Sequence, residues 1–402
     1  MPLKRDITLP LLVFYGLGNI LGAGIYVLVG KVASIAGYYA PISFVVACVV
    51  VFFTALTYSE LSARFPYSAG EALYAKEAFN SNFLSISIGV MIALGGILSS
   101  ATIVNGFNGY ISTLIEIPSW LLSILLISVL CFTAIVGISK SVKIASLFTI
   151  VEIIGLFIII YYGFSNIEFK AVQYDKLIPD FEISSFYIIA LGAFLAFYAF
   201  IGFEDMVNIA EEVKDPTYTL PKAILLSLII STTLYFLVAL ISILAIEPKI
   251  LSSSKAPLSD VYTALTGNEA YVLTLISSFA VINGALIQII MVSRLFYGMA
   301  NNNLLPSIFA TIYYKTSTPV FATVIASLLV FIFALWLPII TLASLTSFFI
   351  FIIFTLMNLS LIKIKLTQKK ESSVNYPIII PIIGTVVNII LLVIEISSVL
   401  AG

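Results

Sequence analysis

The chain has 402 residues, of which 61% are hydrophobic and only 10% are charged. A soluble chain is about half apolar and about a quarter charged, so this composition excludes an ordinary soluble protein and requires a lipid environment. The 19 basic and 20 acidic residues nearly cancel, and the absence of His excludes His-ligated metal sites and His-dependent nucleophiles.

Long apolar segments follow one another along the whole chain. Runs bounded by charged residues, Pro and Gly predict about eleven spanning helices, because about 20 apolar residues cross the hydrocarbon core. These runs show no sustained alternation of polar and apolar residues, which predicts an all-α polytopic fold. The spans are expected at residues 9–35, 39–63, 83–112, 119–138, 142–164, 184–211, 222–246, 269–299, 319–337, 340–362 and 377–399.

The distribution of Lys and Arg predicts the orientation of the chain. An N-terminus on the cytoplasmic side leaves few of the 19 basic residues outside, in accordance with the positive-inside rule. The outside set is Lys31, Lys170, Lys176, Lys249 and Lys255. We therefore expect a multi-pass protein of the cell membrane with a cytoplasmic N-terminus. Residues 64–82 are expected to form a helix on the cytoplasmic surface.

The first span contains a cluster of glycines at its middle. Gly16, Gly18, Gly22 and Gly24 fall within nine positions of an otherwise apolar run. Each Gly costs a helix interior about 1 kcal/mol relative to Ala, so the cluster favours local unwinding. Close packing against another helix through Gly18 and Gly22 is an alternative interpretation.

The sixth span is also unusual, because a glycine and two carboxylates interrupt an apolar run in the stretch FYAFIGFED at residues 197–205. Unwound backbone at membrane depth persists only where it is buried in protein or lines a wet cavity. The first and sixth spans occupy corresponding positions in two halves of five helices. This placement predicts an inverted repeat, with a first repeat at about residues 9–164, a second at about 184–362, and an additional helix at about 377–399.

Several stretches resemble one transporter family in order and spacing. GLGNILGAGIY at residues 16–26 resembles the first-helix signature of the amino acid, polyamine and organocation (APC) transporters. Residues 58–71 are similar to the loop after that family's second helix, and residues 197–216 are similar to its sixth helix. Further matches lie at residues 220–223 and 293–300. The resemblance implies a LeuT-type fold of five plus five helices, in which helices one and six are broken.

The resemblance also implies a substrate site at the two breaks. The implied substrate-binding residues are Ile20, Gly22, Ala23, Gly24, Tyr198, Ala199, Phe200, Ile201 and Gly202. Backbone N–H groups of residues 22–24 would hold the carboxylate of an amino acid, helped by the positive end of a half-helix. Carbonyl groups of Ile20, Tyr198, Ala199 and Ile201 would accept hydrogen bonds from its ammonium group. Phe197, Phe200 and Phe203 would shape a pocket for neutral or hydrophobic side chains, although packing is the commoner role of such residues.

Glu152 is the candidate for ion coupling. It lies near the middle of the fifth span, where an ionised group costs a few kcal/mol and is a functional candidate by default. Some proton-coupled members of the family carry Lys at the matching place, so direct transfer of their mechanism to this Glu is in doubt. Glu152 is expected to bind a proton or, alternatively, Na⁺; a purely structural role in hydrogen bonding between helices is the remaining interpretation.

The other charged residues near the breaks are gate candidates. These are Glu60 and Arg64, one turn apart in the second span, and Phe203, Glu204 and Asp205 in the sixth. An anchoring role for the first pair and dipole capping for the two acids are the alternatives.

Together these features predict a secondary amino acid transporter that works by alternating access, with proton-coupled symport ahead of sodium coupling or exchange. A nutrient sensor or a channel would be the alternative of a different class. No catalytic cluster and no basic, aromatic-rich stretch occurs in the sequence, so we expect no enzyme activity, no cofactor and no nucleic-acid partner. The expected partners are an amino acid and the lipid bilayer, and the oligomeric state is left open.

Overall fold

The chain folds as an all-α membrane protein. The computed structural model describes residue 5 and residues 7–67, 70–112, 115–136, 138–168, 174–180, 182–301, 304–313, 316, 318–367 and 372–401. Over these residues, β structure is limited to two isolated bridges, Ile7 with Val213 and Tyr313 with Thr318. The all-α prediction is confirmed.

The helices follow one another with short connections. In order they are α1 (Leu9–Ala36), α2 (Ala40–Arg64), α3 (Gly70–Phe79), α4 (Asn82–Ile111), α5 (Ser119–Val136), α6 (Ile138–Asn166), α7 (Ile183–Phe197), α8 (Pro216–Ala245), α9 (Pro248–Leu251), α10 (Pro257–Thr266), α11 (Tyr271–Asn301), α12 (Val320–Trp336), α13 (Ile339–Thr367) and α14 (Ile379–Ala401). Short 3₁₀ helices lie at Gly37–Tyr39, Tyr174–Lys176, Tyr198–Phe200, Glu204–Glu212 and Ser307–Ala310.

The number of spans agrees with the prediction. In the part of the chain that the structure describes, eight segments are long and apolar enough to cross a membrane, and the first of them, Leu9–Arg64, contains both α1 and α2. Two shorter apolar helices lie at Val320–Trp336 and Ile379–Ile394. Counting α1 and α2 separately gives the expected set of about eleven.

The end of α13 and the start of α8 differ clearly from their expected positions, since α13 continues to Thr367, beyond the predicted end at 362. α8 begins at Pro216, several residues before the predicted start at 222. Pro216 fits the first turn because the N–H group that it lacks has no acceptor there. The preceding residue, Asp215, takes a left-handed conformation with φ of 47°, which turns the chain into the helix.

The helices differ in how far they are buried in the protein. About 72% of the apolar window of the segment Ile183–Ala210 and 71% of that of α11 are buried, against 33% for α5. Phe132 of α5 and Trp336 of α12 are 70% and 78% exposed, which suits side chains that face lipid. The segments that carry the second break therefore lie inside the bundle, and α5 lies at its edge.

The helix predicted at residues 64–82 exists as α3. One face of α3 is exposed and the other is buried in the protein. Glu71, Tyr74 and Ala75 are buried, and α3 packs against α4 and α13. The sequence of this helix has several polar residues, and its burial follows from the helices around it. The burial of this face was not predicted, and the position of α3 at the cytoplasmic surface stays a prediction.

Candidate functional site at two broken helices

α1 is interrupted at Gly22. Its backbone angles, φ of −28° and ψ of −107°, are not helical, although α1 continues on both sides. Small groups of α11 lie against this point: a Cβ atom at Gly22 would be 3.5 Å from both the Ala280 carbonyl oxygen and the Gly284 Cα atom. The glycine cluster therefore does break the first span, as its sequence predicts.

The second break follows α7. After Phe197 the chain makes one 3₁₀ turn at Tyr198–Phe200, extends at Ile201 and enters the 3₁₀ helix Glu204–Glu212. Gly202 has a φ of +127°, a conformation that side-chain-bearing residues rarely adopt. A Cβ atom there would also lie 2.7 Å from the Asn19 Nδ2 atom. Two features therefore require glycine at this position: the positive φ of its backbone and the short distance to the Asn19 side chain.

The two breaks meet at the hydroxyl group of Tyr235 in α8. This hydroxyl lies 2.5 Å from the carbonyl oxygen of Ile20 and 2.8 Å from that of Ala199, within hydrogen-bonding distance of both. A Cβ atom at Gly24 would come within 2.7 Å of the Ala199 Cα atom, so glycine permits this close approach. The unwound segments are in contact, and α8 connects them.

A polar junction links the same two breaks. The Asn19 amide donates to the Gly202 carbonyl oxygen at 3.0 Å and to Asp205 Oδ2 at 2.6 Å. The Gln288 amide of α11 donates to the same Asp205 oxygen at 2.7 Å and to Asn19 Oδ1 at 3.3 Å. Hydrogen bonds from two amides therefore hold the buried Asp205 carboxyl group. The Gly202 backbone N–H group donates a hydrogen bond of 2.8 Å to the Glu204 Oε2 atom.

The Glu152 carboxyl group lies in a separate buried cluster. Its Oε1 atom accepts a hydrogen bond of 2.8 Å from the Asn283 amide of α11, which also lies 3.3 Å from Thr149 Oγ1. Gly18 of α1 packs directly on Thr149 and Asn283, where a larger side chain would not fit. Glu152 forms no ion pair with a Lys or Arg among the residues that the structure describes.

α6 is hydrogen-bonded to α1 on both sides of the first break. The Thr149 hydroxyl donates to the Phe14 carbonyl oxygen at 3.1 Å, ahead of Gly22. The Tyr26 hydroxyl, beyond Gly22, donates to the Glu152 carbonyl oxygen at 2.5 Å. A change in the angle between the two halves of α1 would therefore alter the surroundings of Glu152.

The structure brings the predicted substrate-binding residues together, and several of their polar groups already have partners. The Tyr198 carbonyl oxygen accepts a hydrogen bond of 3.2 Å from the Ile201 N–H group, closing the 3₁₀ turn. The Tyr198 hydroxyl lies 3.1 Å from the Ser99 hydroxyl of α4. The side chain of Ala23 lies outside the described residues. The assignment of substrate contacts stays a prediction.

The three phenylalanines of the sixth span have different surroundings. Phe200 lies against the Tyr235 ring, with centroids 5.1 Å apart. Phe197 stacks on Phe351 of α13 at 3.8 Å, and Phe203 contacts Tyr58 and Phe354. Phe200 is thus the one of these three that contacts Tyr235, while the gate candidate Phe203 packs between α2 and α13.

Glu60 and Arg64 form part of an ion-pair network. Glu60 Oε1 lies 2.7 Å from the Arg64 Nη2 atom and 2.6 Å from the Lys365 Nζ atom. Glu60 Oε2 accepts a hydrogen bond of 2.9 Å from the Tyr376 N–H group. The carboxylate thus connects α2 to the end of α13 and to the segment before α14, which favours the anchoring interpretation, and the gate role stays a prediction.

Replacing Glu60 with Gln is expected to destabilise the protein by about 3 kcal/mol, because it removes the carboxylate that the buried Arg64 and the half-buried Lys365 contact. The thermal unfolding temperature of purified protein in detergent measures this effect. Glu116→Gln, in the segment between α4 and α5, is the control, since Glu116 is exposed. Equal unfolding temperatures for the two variants would contradict the anchoring role.

Glu71 brings a third carboxyl group close to the polar junction. Glu71, Glu204, Asp205 and Gln288 line the same small cavity. Burial, with a smaller contribution from the charge of Asp205, raises the pKa of the Glu71 carboxyl to about 8. Tyr58, Tyr74 and Asn208 are the other polar groups that face it, and apolar Ile350 and Ile353 line the cavity from α13.

Glu71→Gln is expected to make the stability less dependent on pH. Between the ordinary pKa of 4.5 and about 8, the folded protein keeps a proton that the unfolded chain releases, so the free energy of unfolding falls as the pH rises. The fall is up to about 1.4 kcal/mol per pH unit. The gain in unfolding temperature of the variant over wild type should therefore grow from acid to mildly alkaline pH. A gain independent of pH would contradict this explanation, and Glu116→Gln is again the control.

Sequence reasoning missed three residues of this arrangement. Tyr235 lies in an apolar span, and a buried Tyr hydroxyl needs a hydrogen-bond partner, which is the signal that could have identified it. Asn19 is the polar residue inside the glycine cluster, and Thr149 lies one turn before Glu152. Each is polar at a depth where polar groups require partners.

Comparison with known proteins identifies relatives over most of the chain. The model of a family described as amino acid permease matches residues 7–398. Cationic amino acid transporters 9 (chloroplastic) and 2 (vacuolar) of Arabidopsis thaliana are 29% and 27% identical to this chain, over 77% and 92% of its length. The chain spans 58% and 61% of the lengths of these two proteins. A branched-chain amino acid permease of Bacillus subtilis (strain 168) is 27% identical, over 80% of this chain and 72% of that protein.

Proposed function

Since the chain belongs to the amino acid permease family, we propose that it is a secondary transporter that moves amino acids across the cell membrane by alternating access. One observation carries this proposal. Two helix breaks, distant in sequence, present the carbonyl oxygens of Ile20 and Ala199 to one point at the hydroxyl of Tyr235. Broken helices that meet inside the bundle supply backbone donors and acceptors for a zwitterion without a charged side chain.

The surroundings of the breaks favour neutral substrates with apolar side chains. Phe200 packs against the ring of Tyr235, whose hydroxyl bonds the two carbonyl oxygens, and Ile103 of α4 packs near Gly284, which faces the Gly22 break. A cationic side chain of a substrate would pair with a carboxyl group. The nearby carboxyl group of Asp205 already accepts hydrogen bonds from Asn19 and Gln288. Among the relatives, these features suit the branched-chain permease better than the two cationic amino acid transporters.

Proton coupling through Glu152 is the energy source that we propose. Its carboxyl group is buried, bonded to Asn283, and close to the first break through Gly18. An intramembrane carboxyl group without a cationic partner is suited to taking up and releasing a proton. Coordination of Na⁺ by the same oxygen atoms, or exchange without a coupled ion, is the alternative.

The proposed cycle uses the two repeats at about residues 9–164 and 184–362, with the helix at about 377–399 outside them. The placement of the breaks in the first and sixth spans supports this division. The distribution of Lys and Arg supports a cytoplasmic N-terminus.

Counterflow into proteoliposomes tests the proposal. Liposomes containing the purified protein and an excess of one unlabelled amino acid are given the same labelled amino acid, over a panel of apolar, cationic and acidic compounds. We expect saturable and stereoselective uptake of leucine, isoleucine or valine, and little uptake of lysine or glutamate. Uptake limited to cationic amino acids would overturn the substrate class. The absence of counterflow for every compound would overturn transport and favour a sensor or a channel.

A further inference from the structure

The Tyr235 hydroxyl lies at the position that the ammonium group of a substrate would need. We propose that this hydroxyl competes with the substrate for the carbonyl oxygens of Ile20 and Ala199, and that the competition selects compounds with a cationic amino group. This inference rests on the proposed function, because it assumes that an amino acid binds between the two breaks.

The position of the hydroxyl is well defined by its neighbours. Tyr235 is fully buried, and its ring contacts Phe200 and Phe44 at centroid distances of 5.1 and 5.7 Å. A Cβ atom added at Gly24 would lie only 2.9 Å from the Tyr235 hydroxyl oxygen, so α1 packs closely on this side. A donor that reaches both carbonyl oxygens here must therefore replace the hydroxyl.

The exchange favours a cation for a simple reason of hydrogen-bond chemistry. The hydroxyl has one O–H donor to share between two acceptors, whereas an ammonium group has three N–H donors. Hydrogen bonds from an ionised donor are about twice as strong as those between neutral groups. An ammonium group therefore gains by displacing the hydroxyl. A neutral hydroxyl of a ligand would only exchange one neutral hydrogen bond for another.

Tyr235→Phe tests the competition, because it removes the hydroxyl and keeps the ring. Affinities are measured from ligand-dependent thermal stabilisation in detergent, for L-leucine, its α-hydroxy acid analogue and its des-amino analogue. Without the Tyr235 hydroxyl, leucine should bind about fivefold more tightly to the variant than to wild type. This factor corresponds to the net contribution of one neutral hydrogen bond. The α-hydroxy acid should gain by a similar factor, and the des-amino acid should gain nothing. Tyr74→Phe in α3 is the control for loss of a buried Tyr hydroxyl.

A measurement on the wild-type protein does not depend on the folding of any variant. There the α-hydroxy acid and the des-amino acid should bind equally well, and both should bind more weakly than leucine. Tighter binding of the α-hydroxy acid than of the des-amino acid would overturn the competition.

Three outcomes with the variant would also overturn the inference. Weaker binding of leucine to Tyr235→Phe would make the hydroxyl a direct substrate ligand. An equal change for leucine and the des-amino acid would give Tyr235 a packing role only. An equal gain in Tyr74→Phe would show that the effect is not specific to the carbonyl pair. No binding of any amino acid to wild type is distinct from these, because it overturns the proposed function itself.

Discussion

Glu152→Gln is expected to reduce the accumulation of amino acid driven by a proton gradient to the level of protein-free liposomes, while counterflow continues. The Gln side chain can keep the hydrogen bond from Asn283, because it retains a carbonyl oxygen in place of Oε1. It cannot take up or release a proton. Exchange of labelled for unlabelled substrate needs only the movement of the loaded carrier, so it should survive the substitution.

Uptake into proteoliposomes with an imposed pH gradient, with and without a sodium gradient, measures this effect. Glu116→Gln, the same substitution at an exposed position, should behave as wild type. Equal accumulation by wild type and Glu152→Gln at every pH would leave Glu152 with a structural role. Loss of a sodium-driven component alone would transfer the coupling to Na⁺.

Gly202→Ala is expected to lower the transport rate by at least about tenfold, which corresponds to about 1.4 kcal/mol. Two causes act together. The φ of +127° is strained for Ala, at a cost of about 1–3 kcal/mol, and the added Cβ atom would lie 2.7 Å from Asn19 Nδ2. Asn19 would have to move, and its hydrogen bonds to the Gly202 carbonyl and to Asp205 would weaken.

Gly267→Ala separates the two causes. Gly267 also has a positive φ, of 70°, but no atom lies within 4 Å of the position of its Cβ atom. This control should lower stability slightly and leave the transport rate unchanged. Initial rates of counterflow at equal amounts of reconstituted protein measure both variants. Similar rates for Gly202→Ala and Gly267→Ala would show that the contact with Asn19 does not matter for transport.

The sequence predicted the spans well because their signal is local. A run of about 20 apolar residues between charged or helix-ending residues fixes a spanning helix whatever surrounds it. The glycine cluster at residues 16–24 and the stretch around Gly202 predicted both breaks for the same reason, since Gly lowers the cost of unwinding in its own segment. α3 was predicted as a helix but not as a buried one, because its burial depends on α4 and α13.

The all-α membrane fold, the approximate bounds of the spans and the places where two of them break could be predicted from local sequence patterns. The groups that meet at the breaks became known only from the packing of the helices. Tyr235 contacts Ile20 across 215 positions, and Asn283 contacts Glu152 across 131. The Glu60 carboxylate pairs with Lys365 at the far end of another helix. Such pairs depend on how the helices pack. Periodicity and composition describe one segment at a time, so they cannot specify which polar side chains of different segments satisfy each other.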